Sequence, residues 1–206
     1  MNKTLISAAL CTLLAAPTLA LASGDLVVNG SFEDTVQANG TWNIYNVVNG
    51  WSTVAGSGIE VRNNVVGTAF DGNNFVELDG YSGQGNTTMQ QMLTTQVGQL
   101  YDLSFVYSPR IGVTNAASSG IAVAWNGATL TTLAGRGANQ HNWLEVGLQV
   151  VGTGNDKLSF SATGLNEGLG GSLDAVSLTA AVPEPGTYAM MFAGLLAVGF
   201  MARRRA

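Results

Sequence analysis

The chain has 206 residues, of which 13 are acidic and 8 basic, and its formal net charge is −5. Between residues 23 and 181 the acidic side chains outnumber the basic ones by 12 to 4, which argues against a nucleic-acid-binding protein. The single cysteine, Cys11, lies near the N-terminus. A mature chain that lacks it has no disulfide, cysteine metal site or thiol nucleophile.

The N-terminal segment has the layout of a secretory signal peptide. Lys3 supplies a positive start, residues 5–14 are apolar, and Ala20-Leu21-Ala22 matches the small-residue cleavage pattern. The apolar run is short for a membrane span. We therefore predict a signal peptide over residues 1–22, with a cut after Ala20 as the alternative.

The central part of the chain, residues 23–181, has the size of one domain and the pattern of an all-β fold. Short runs of apolar or alternating residues are separated by turns rich in Gly and Asn. Asn126-Gly127 between two such runs is the strongest two-residue hairpin signal. Strands are predicted over residues 26–28, 59–62, 74–79, 101–107, 121–125, 128–133, 143–151, 157–162 and 173–178. With no amphipathic helix among them, these strands predict a β-sandwich.

The C-terminal tail, residues 182–206, combines prolines, an apolar run and positive charge. Pro183 and Pro185 favour an extended segment. The run from Tyr188 to Ala202 is about 15 residues long, just under the usual range of roughly 17–25 for a membrane span. The cluster of Arg203, Arg204 and Arg205 follows and is typical of a cytoplasmic flank. A buried core helix is the alternative, but the run has no polar face. We predict a transmembrane helix here.

This tail resembles the PEP-CTERM sorting signal of Gram-negative bacteria. The matching residues are Val182-Pro183-Glu184-Pro185, the apolar run, and the cluster of Arg203, Arg204 and Arg205. The resemblance implies recognition near Pro183, Glu184 and Pro185 by an exosortase, a membrane-embedded transpeptidase. It also implies a precursor held transiently in the inner membrane. The product would go to the cell surface or to the extracellular matrix of a biofilm.

The domain resembles the galactose-binding-like jelly roll of carbohydrate-binding modules. Three segments carry the resemblance: residues 26–33 (LVVNGSFE), 49–51 (NGW) and 173–178 (LDAVSL). The resemblance implies a polysaccharide ligand and a structural Ca²⁺ held by Glu33 and Asp174, with backbone carbonyls completing an oxygen shell. Without it, Glu33 would be read as capping a turn and Asp174 as facing solvent.

Aromatic side chains in polar surroundings are the candidate sugar contacts, because pyranose faces stack on aromatic rings. We expect Trp51, Trp125 and Trp143 to be buried. Trp42 and Tyr45 are expected on a loop over residues 41–49. The predicted ligand-binding residues are Trp42, Tyr45, Tyr81, Tyr107 and Arg110.

Catalysis has weak support in the sequence. Glu60, Glu77 and Asp79 are candidates for a glycosidase pair, but carboxylates that alternate along strands usually form a solvated face. There is no G-x-S-x-G motif, and His141 is the only histidine. We therefore expect a non-catalytic polysaccharide-binding protein of the cell surface or matrix. The alternatives are a structural matrix protein that self-associates without a defined sugar ligand and, less favoured, an extracellular glycoside hydrolase.

Overall fold

The computed structural model describes residues 24–81, 83–182 and 185–204. The predicted signal peptide, Pro183, Glu184 and Arg205 lie outside them. A 3₁₀ helix spans Ala116–Ser119, and the helix α1 spans Pro185–Arg204. The strands are β1 (Thr41–Tyr45), β2 (Val47–Val48), β3 (Trp51–Ala55), β4 (Ile59–Asn63), β5 (Asn74–Leu78), β6 (Thr88–Thr94), β7 (Leu100–Ser108), β8 (Gly120–Trp125), β9 (Ala128–Leu133), β10 (Leu144–Val151), β11 (Asn155–Thr163) and β12 (Gly171–Ala180).

The strands form two six-stranded antiparallel sheets. Sheet A has the order β1-β4-β5-β12-β7-β10, and sheet B has the order β2-β3-β6-β11-β8-β9. Each sheet presents one face to the other, as the alternating burial of β7 and β11 shows. The prediction of an all-β sandwich is confirmed.

The core between the sheets is built from large side chains on alternating strand positions. Phe160 of β11 contacts Trp51 of β3 and Phe105 of β7, with ring centroids 5.9 and 5.2 Å apart. Burying one side chain of this size stabilises the fold by roughly 1.5–3 kcal/mol. The domain thus has a continuous apolar core, as a fold without disulfides needs.

The hairpin prediction is confirmed in detail. Asn126 and Gly127 have φ of 52° and 84°, as a type I′ turn between β8 and β9 requires. The predicted opening strand over residues 26–28 is not a regular strand. It nevertheless runs beside β12, because Leu26 N donates to Leu178 O at 2.9 Å.

Several strands escape the sequence pattern. The segment predicted as a loop over residues 41–49 contains β1 and β2, and β3 and β6 were not predicted at all. In β6 the inward position Gln91 breaks the apolar alternation. The Gln91 side-chain amide pairs with the backbone of Val28 as a neighbouring strand would. Val28 N donates to Gln91 Oε1 at 2.7 Å, and Gln91 Nε2 donates to Val28 O at 3.0 Å.

The predicted transmembrane helix of the tail is not confirmed. Within residues 24–81, 83–182 and 185–204, no helix has the length and apolar character that crossing a membrane requires.

Candidate functional site

The outer face of sheet A, which points away from the core, gathers most of the candidate residues. In the register of β1, β4 and β5, Trp42 lies opposite Arg62, and Arg62 lies opposite Phe75. In the next row, Ile44 lies opposite Glu60, and Glu60 lies opposite Glu77. Residues directly opposite one another share a face. The fold therefore brings an aromatic residue of β1 beside the carboxylates of β4 and β5.

Trp42 and Tyr81 form an exposed aromatic pair at the β1 edge of this face. Their ring centroids are 6.4 Å apart in an edge-to-face arrangement, and the residues are 44% and 46% exposed. Gly80 makes the arrangement possible: a Cβ at this position would meet Ile44 Cδ1 at 2.5 Å and Glu60 Oε2 at 3.1 Å. The loop after β5 therefore lies flat against β1 and β4, which places Tyr81 next to Trp42.

The loop that carries Tyr81, described at residues 79–81 and 83–86, is joined to the loop over residues 164–170. Gly83 N donates to Asn166 Oδ1 at 3.1 Å. Asp79 Oδ2 accepts from the backbone N–H groups of Glu167 and Gly168, at 3.1 and 3.2 Å. The two loops thus form one surface beside the aromatic pair.

A buried charge cluster, Glu60, Arg62, Glu77 and Arg110, lies beneath these loops. Arg62 Nη2 lies 2.6 Å from Glu60 Oε1, and Arg62 Nε lies 3.3 Å from Glu77 Oε2. Arg110 Nη1 contacts Glu77 Oε1. Burial raises the pKa of Glu60 to about 7 and also raises the pKa of Glu77, while the arginines act in the opposite direction. Both carboxylates are about 1% exposed, so neither reaches a ligand on this surface as an acid or base.

The five predicted ligand residues do not form one group. Tyr45 is half-buried against the core, and its hydroxyl donates to Gln37 Oε1 at 3.0 Å. Trp42 and Tyr45 lie on the edge strand β1 rather than on a loop. Tyr107 is 3% exposed and donates its hydroxyl to Ser119 O at 2.6 Å. This burial corrects its prediction as a stacking residue.

Arg110 is likewise engaged within the protein, because its guanidinium pairs with Glu77. Of the five residues, only Trp42 and Tyr81 therefore present free aromatic surface next to each other.

A second aromatic cluster lies further across the outer face of sheet A. Trp143, expected in the core, is half-buried there, with its ring centroid 4.7 Å from His141 and 6.0 Å from Phe75. Phe70 packs against its edge at 6.4 Å and is 49% exposed. Trp51 and Trp125 are buried, as predicted. No local pattern predicts this cluster, because its members come from residues 70–75 and 141–143, which are far apart in the sequence.

A depression of about 550 Å³ adjoins this cluster on the β7 and β10 side of the sheet. Ser104 and Gly147, which lie opposite each other, contribute to its lining together with Phe70 and Glu145. Because Ser104 has a small side chain and Gly147 has none, this part of the face is open.

Glu33 and Asp174 hold the two ends of one loop, residues 70–74. Glu33 Oε1 accepts from the N–H groups of Asn73 and Asn74, at 2.8 and 2.6 Å. Asp174 Oδ2 accepts from the N–H groups of Phe70 and Asp71, at 2.8 and 3.0 Å. Asp174 is fully buried rather than solvated.

The donor set around this loop is compatible with a hard cation but incomplete. Carboxylate oxygens are the ligands that Ca²⁺ prefers, and it takes six to eight of them with carbonyls and water. Among the described residues, no three Asp, Glu, His or Cys side chains lie together in a way that could hold a metal ion. The calcium site therefore stays a prediction.

Comparison with known proteins finds a sorting motif in the C-terminal tail and relatives that match about three quarters of the chain. Residues 181–205 match the PEP-CTERM protein-sorting motif. The chain is 31% identical over 156 residues to the multifunctional-autoprocessing repeats-in-toxin of Vibrio vulnificus. That match covers 74% of this chain, but the chain spans only about 3% of the length of the curated relatives it matches.

The fold is shared with a solved cyclase structure, and a carbohydrate-binding module aligns less well. The Stig cyclase FisC from Fischerella sp. TAU aligns with a TM-score of 0.57 and 16% identity, covering 80% of this chain and all of the cyclase chain. A family 35 carbohydrate-binding module from Paenibacillus barcinonensis aligns with a TM-score of 0.43 and 18% identity, over 69% of this chain and all of the module.

Proposed function

We propose that this protein is a non-catalytic, polysaccharide-binding protein, and that the aromatic pair Trp42 and Tyr81 is its sugar-contacting surface. The observation that carries the proposal is the exposure of two adjacent rings at the β1 edge of the sandwich. A single exposed ring is common on protein surfaces, whereas two rings held together by a tight glycine contact make a defined platform.

The chemistry of the platform suits a sugar ring. The C–H face of a pyranose packs on aromatic rings, and its hydroxyls require hydrogen-bonding groups at the rim. Gln84 and Asn166 lie on the two joined loops beside the aromatic pair, and both are exposed. Backbone pairing of β1 with β4 holds Trp42 in place before a ligand arrives, which lowers the entropy lost on binding.

The C-terminal tail supports a location for the proposed function. The PEP-CTERM motif supports processing by an exosortase near Pro183, Glu184 and Pro185, after export. We propose that the mature domain then acts at the surface, or in the extracellular matrix, of a Gram-negative bacterium. A polysaccharide-binding domain delivered there would meet its ligand in the matrix itself.

The test is retention of the purified protein in native gels that contain polysaccharide. The wild-type protein should be retarded by at least one member of a panel of neutral, acidic and amino polysaccharides. Trp42→Ala and Tyr81→Ala should each weaken binding about tenfold, equivalent to about 1.4 kcal/mol.

The matched control is Met92→Ala. Met92 is 55% exposed on β6 of the opposite sheet, so its truncation removes apolar surface without touching the platform and should leave retention unchanged. Self-association without retention would support a structural matrix protein instead. Release of reducing sugar from the panel would support a hydrolase.

A structural Ca²⁺ at Glu33 and Asp174 is a second, separate proposal. Burial, helped by the nearby Asp71 and opposed by backbone N–H donors, raises the pKa of Asp174 to about 7. A cation beside these carboxylates would stabilise the ionised form. Asp174 also begins a bulge in β12, where Ala175 has a φ of 48°. The bound ion would add rigidity to the segment where the opening residues meet the last strand.

A further inference from the structure

Asp79 and Glu167 are two carboxylates beside Tyr81 whose charge the protein leaves uncompensated. Within the described part of the chain, neither Asp79 Oδ1 nor Glu167 Oε1 has a hydrogen-bond partner, although both atoms are buried. The two side chains are near enough for Glu167 to raise the pKa of Asp79, although burial of Asp79 is the larger cause. A buried oxygen without a partner destabilises a protein by roughly 1–3 kcal/mol, so this pair calls for an explanation.

The backbone at Asp79 is also held in an unusual conformation. Its φ is 127°, a region that residues other than glycine rarely occupy, at a cost of about 1–3 kcal/mol. The residue is 1% exposed, and its Oδ2 is held by the N–H groups of Glu167 and Gly168. These bonds fix one oxygen of Asp79 and leave the other buried without a hydrogen-bond partner among the described residues. Glu167 is only half-buried and lies nearer to solvent.

The arginines of this face do not neutralise the pair. Arg62 contacts Glu60 and Glu77, and Arg110 contacts Glu77. The joined loops over residues 79–86 and 164–170 contain no Lys or Arg. The surface beside the aromatic pair therefore carries net negative charge that a ligand can complement.

We propose that Asp79 and Glu167 make the aromatic pair selective for polysaccharides that carry protonated amino groups, such as de-N-acetylated hexosamine polymers. The inference rests on the proposed function, because it names the ligand class of the same site. The amino group of a sugar stacked on Trp42 and Tyr81 donates to the Glu167 carboxylate, which Asp79 positions by accepting from the Glu167 backbone N–H.

Three physical effects favour this ligand over others. Hydrogen bonds to a charged partner contribute more than neutral ones, roughly 1.5–3 kcal/mol each. An ammonium group near Trp42 and Tyr81 also gains from cation–π attraction. A uronate or sulfated polymer meets the opposite situation, since its anions approach two carboxylates and no free cation of the joined loops.

The experiment compares three hexasaccharides by isothermal titration calorimetry at low salt, below the pKa of the sugar amines. The probes are glucosamine hexamer, N-acetylglucosamine hexamer and oligogalacturonate, and the first two differ only in the acetyl groups. We expect the glucosamine hexamer to bind at least tenfold more tightly than the acetylated one, and the oligogalacturonate to bind most weakly. The preference should shrink as salt is added.

The variant that tests the assignment is Glu167→Gln. It keeps the backbone N–H of residue 167, which donates a hydrogen bond to Asp79. It should reduce the preference for the glucosamine hexamer to less than threefold and leave binding of the acetylated hexamer unchanged. Asp79→Asn should act in the same direction. The control is Glu145→Gln, on the exposed strand β10 at the other edge of sheet A, which should keep the full preference.

Two results overturn the inference and are distinguishable from failure of the proposed function. If Trp42→Ala weakens both hexosamine hexamers while Glu167→Gln changes neither, the platform binds sugar but the carboxylates do not select it. Equal affinity of the wild-type protein for all three hexamers has the same meaning. If Trp42→Ala changes the binding of no hexamer, the proposed function itself fails.

Discussion

Arg62 lies almost fully buried, 3% exposed, between two carboxylates of neighbouring strands. A guanidinium suits this position because its planar fork can serve two acceptors at once. Replacing both members of a buried ion pair by apolar groups is often neutral, whereas removing one leaves an uncompensated charge. Arg62 therefore affects stability chiefly because its loss would leave Glu60 and Glu77 buried without a compensating positive charge.

Arg62→Met should lower the free energy of unfolding by about 3–5 kcal/mol, because Glu60 and Glu77 would remain buried without their shared cation. Arg110→Met should cause a smaller loss, since its side chain is 16% exposed and Glu77 keeps Arg62. Urea denaturation of both variants measures the difference. Equal losses would show that the cluster is not organised around Arg62.

Asp156 shows the opposite electrostatic case on sheet B. Burial alone raises the pKa of its carboxyl, but hydrogen bonds from Asn126, Thr153 and Thr95 outweigh it and lower the pKa to about 2, from 3.8. Two of these bonds, from Asn126 Nδ2 and Thr153 Oγ1, are 2.6 Å long. The folded state therefore binds this proton less readily than the unfolded chain.

This shift fixes the sign of a pH dependence. The stabilisation is fully present above pH 3.8 and is lost as the pH falls through 2, and it amounts to about 2 kcal/mol. Asp156→Asn should lower the stability at pH 7 by about this amount and remove this part of the acid loss. Urea titrations from pH 2 to 7 measure it, with Asp102→Asn, an exposed site on β7, as control. An unchanged acid profile in Asp156→Asn would contradict the account.

At the scale of elements, the loop over residues 70–74 depends on side chains distant in sequence. Glu33 precedes it by about 40 residues, and Asp174 follows it by about 100. The loop connects to β5 and carries Phe70, which packs on the second aromatic cluster. Two carboxylates thus position part of the outer face of sheet A.

Glu33→Ala should open this loop at one end only. The amide hydrogens of Asn73 and Asn74 lose their acceptor and should exchange at least tenfold faster, while those of Phe70 and Asp71 stay protected by Asp174. Hydrogen exchange followed by NMR measures the four amides separately. Unchanged protection at Asn73 and Asn74 would show that Glu33 does not hold the loop in solution.

The calcium proposal belongs to the same element and has an independent readout. Treatment with EDTA should lower the melting temperature of the wild-type protein by at least about 4 °C, because a ligand that binds only the folded state stabilises it. Glu33→Ala and Asp174→Ala should no longer respond to EDTA. A wild-type melting temperature that does not change with EDTA would show that the loop is held by hydrogen bonds alone.

Elements also show where sequence patterns stop being informative. The alternating run of β7 and the Asn126-Gly127 turn were predicted because both are local signals. The residues of β1, Thr41–Tyr45, are mostly exposed, and an edge strand lacks the apolar alternation of an interior one. The sequence pattern therefore predicts a loop here. The pairing of β1 with β4 is a contact between separate segments, which a local sequence pattern does not predict.

At the scale of the whole molecule, the sequence predicted the sandwich class, the turn chemistry and the sorting tail. It also singled out Trp42 and Tyr81, but it did not indicate that they touch. That contact depends on Gly80 lying against Ile44 and Glu60, three residues from three segments. The sequence does not indicate the contact of Asp79 with Glu167 either, because the two residues are 88 positions apart.

The molecule as a whole combines a two-sheet domain with a C-terminal segment that matches a sorting motif. Sheet A presents the aromatic pair, the joined loops and the second aromatic cluster on one face, while the PEP-CTERM motif lies at residues 181–205. In the proposed function the protein acts by binding a polysaccharide and not by catalysis. Its proposed role depends on contact between that face and a glycan.

The measurement that tests this most directly is the affinity of the purified protein for the polysaccharide panel, compared with that of Trp42→Ala. We expect measurable binding to at least one polymer, a loss of about tenfold in Trp42→Ala, and no loss in Met92→Ala. Binding that Trp42→Ala leaves intact, or no binding to any polymer by a folded wild-type protein, would contradict the account.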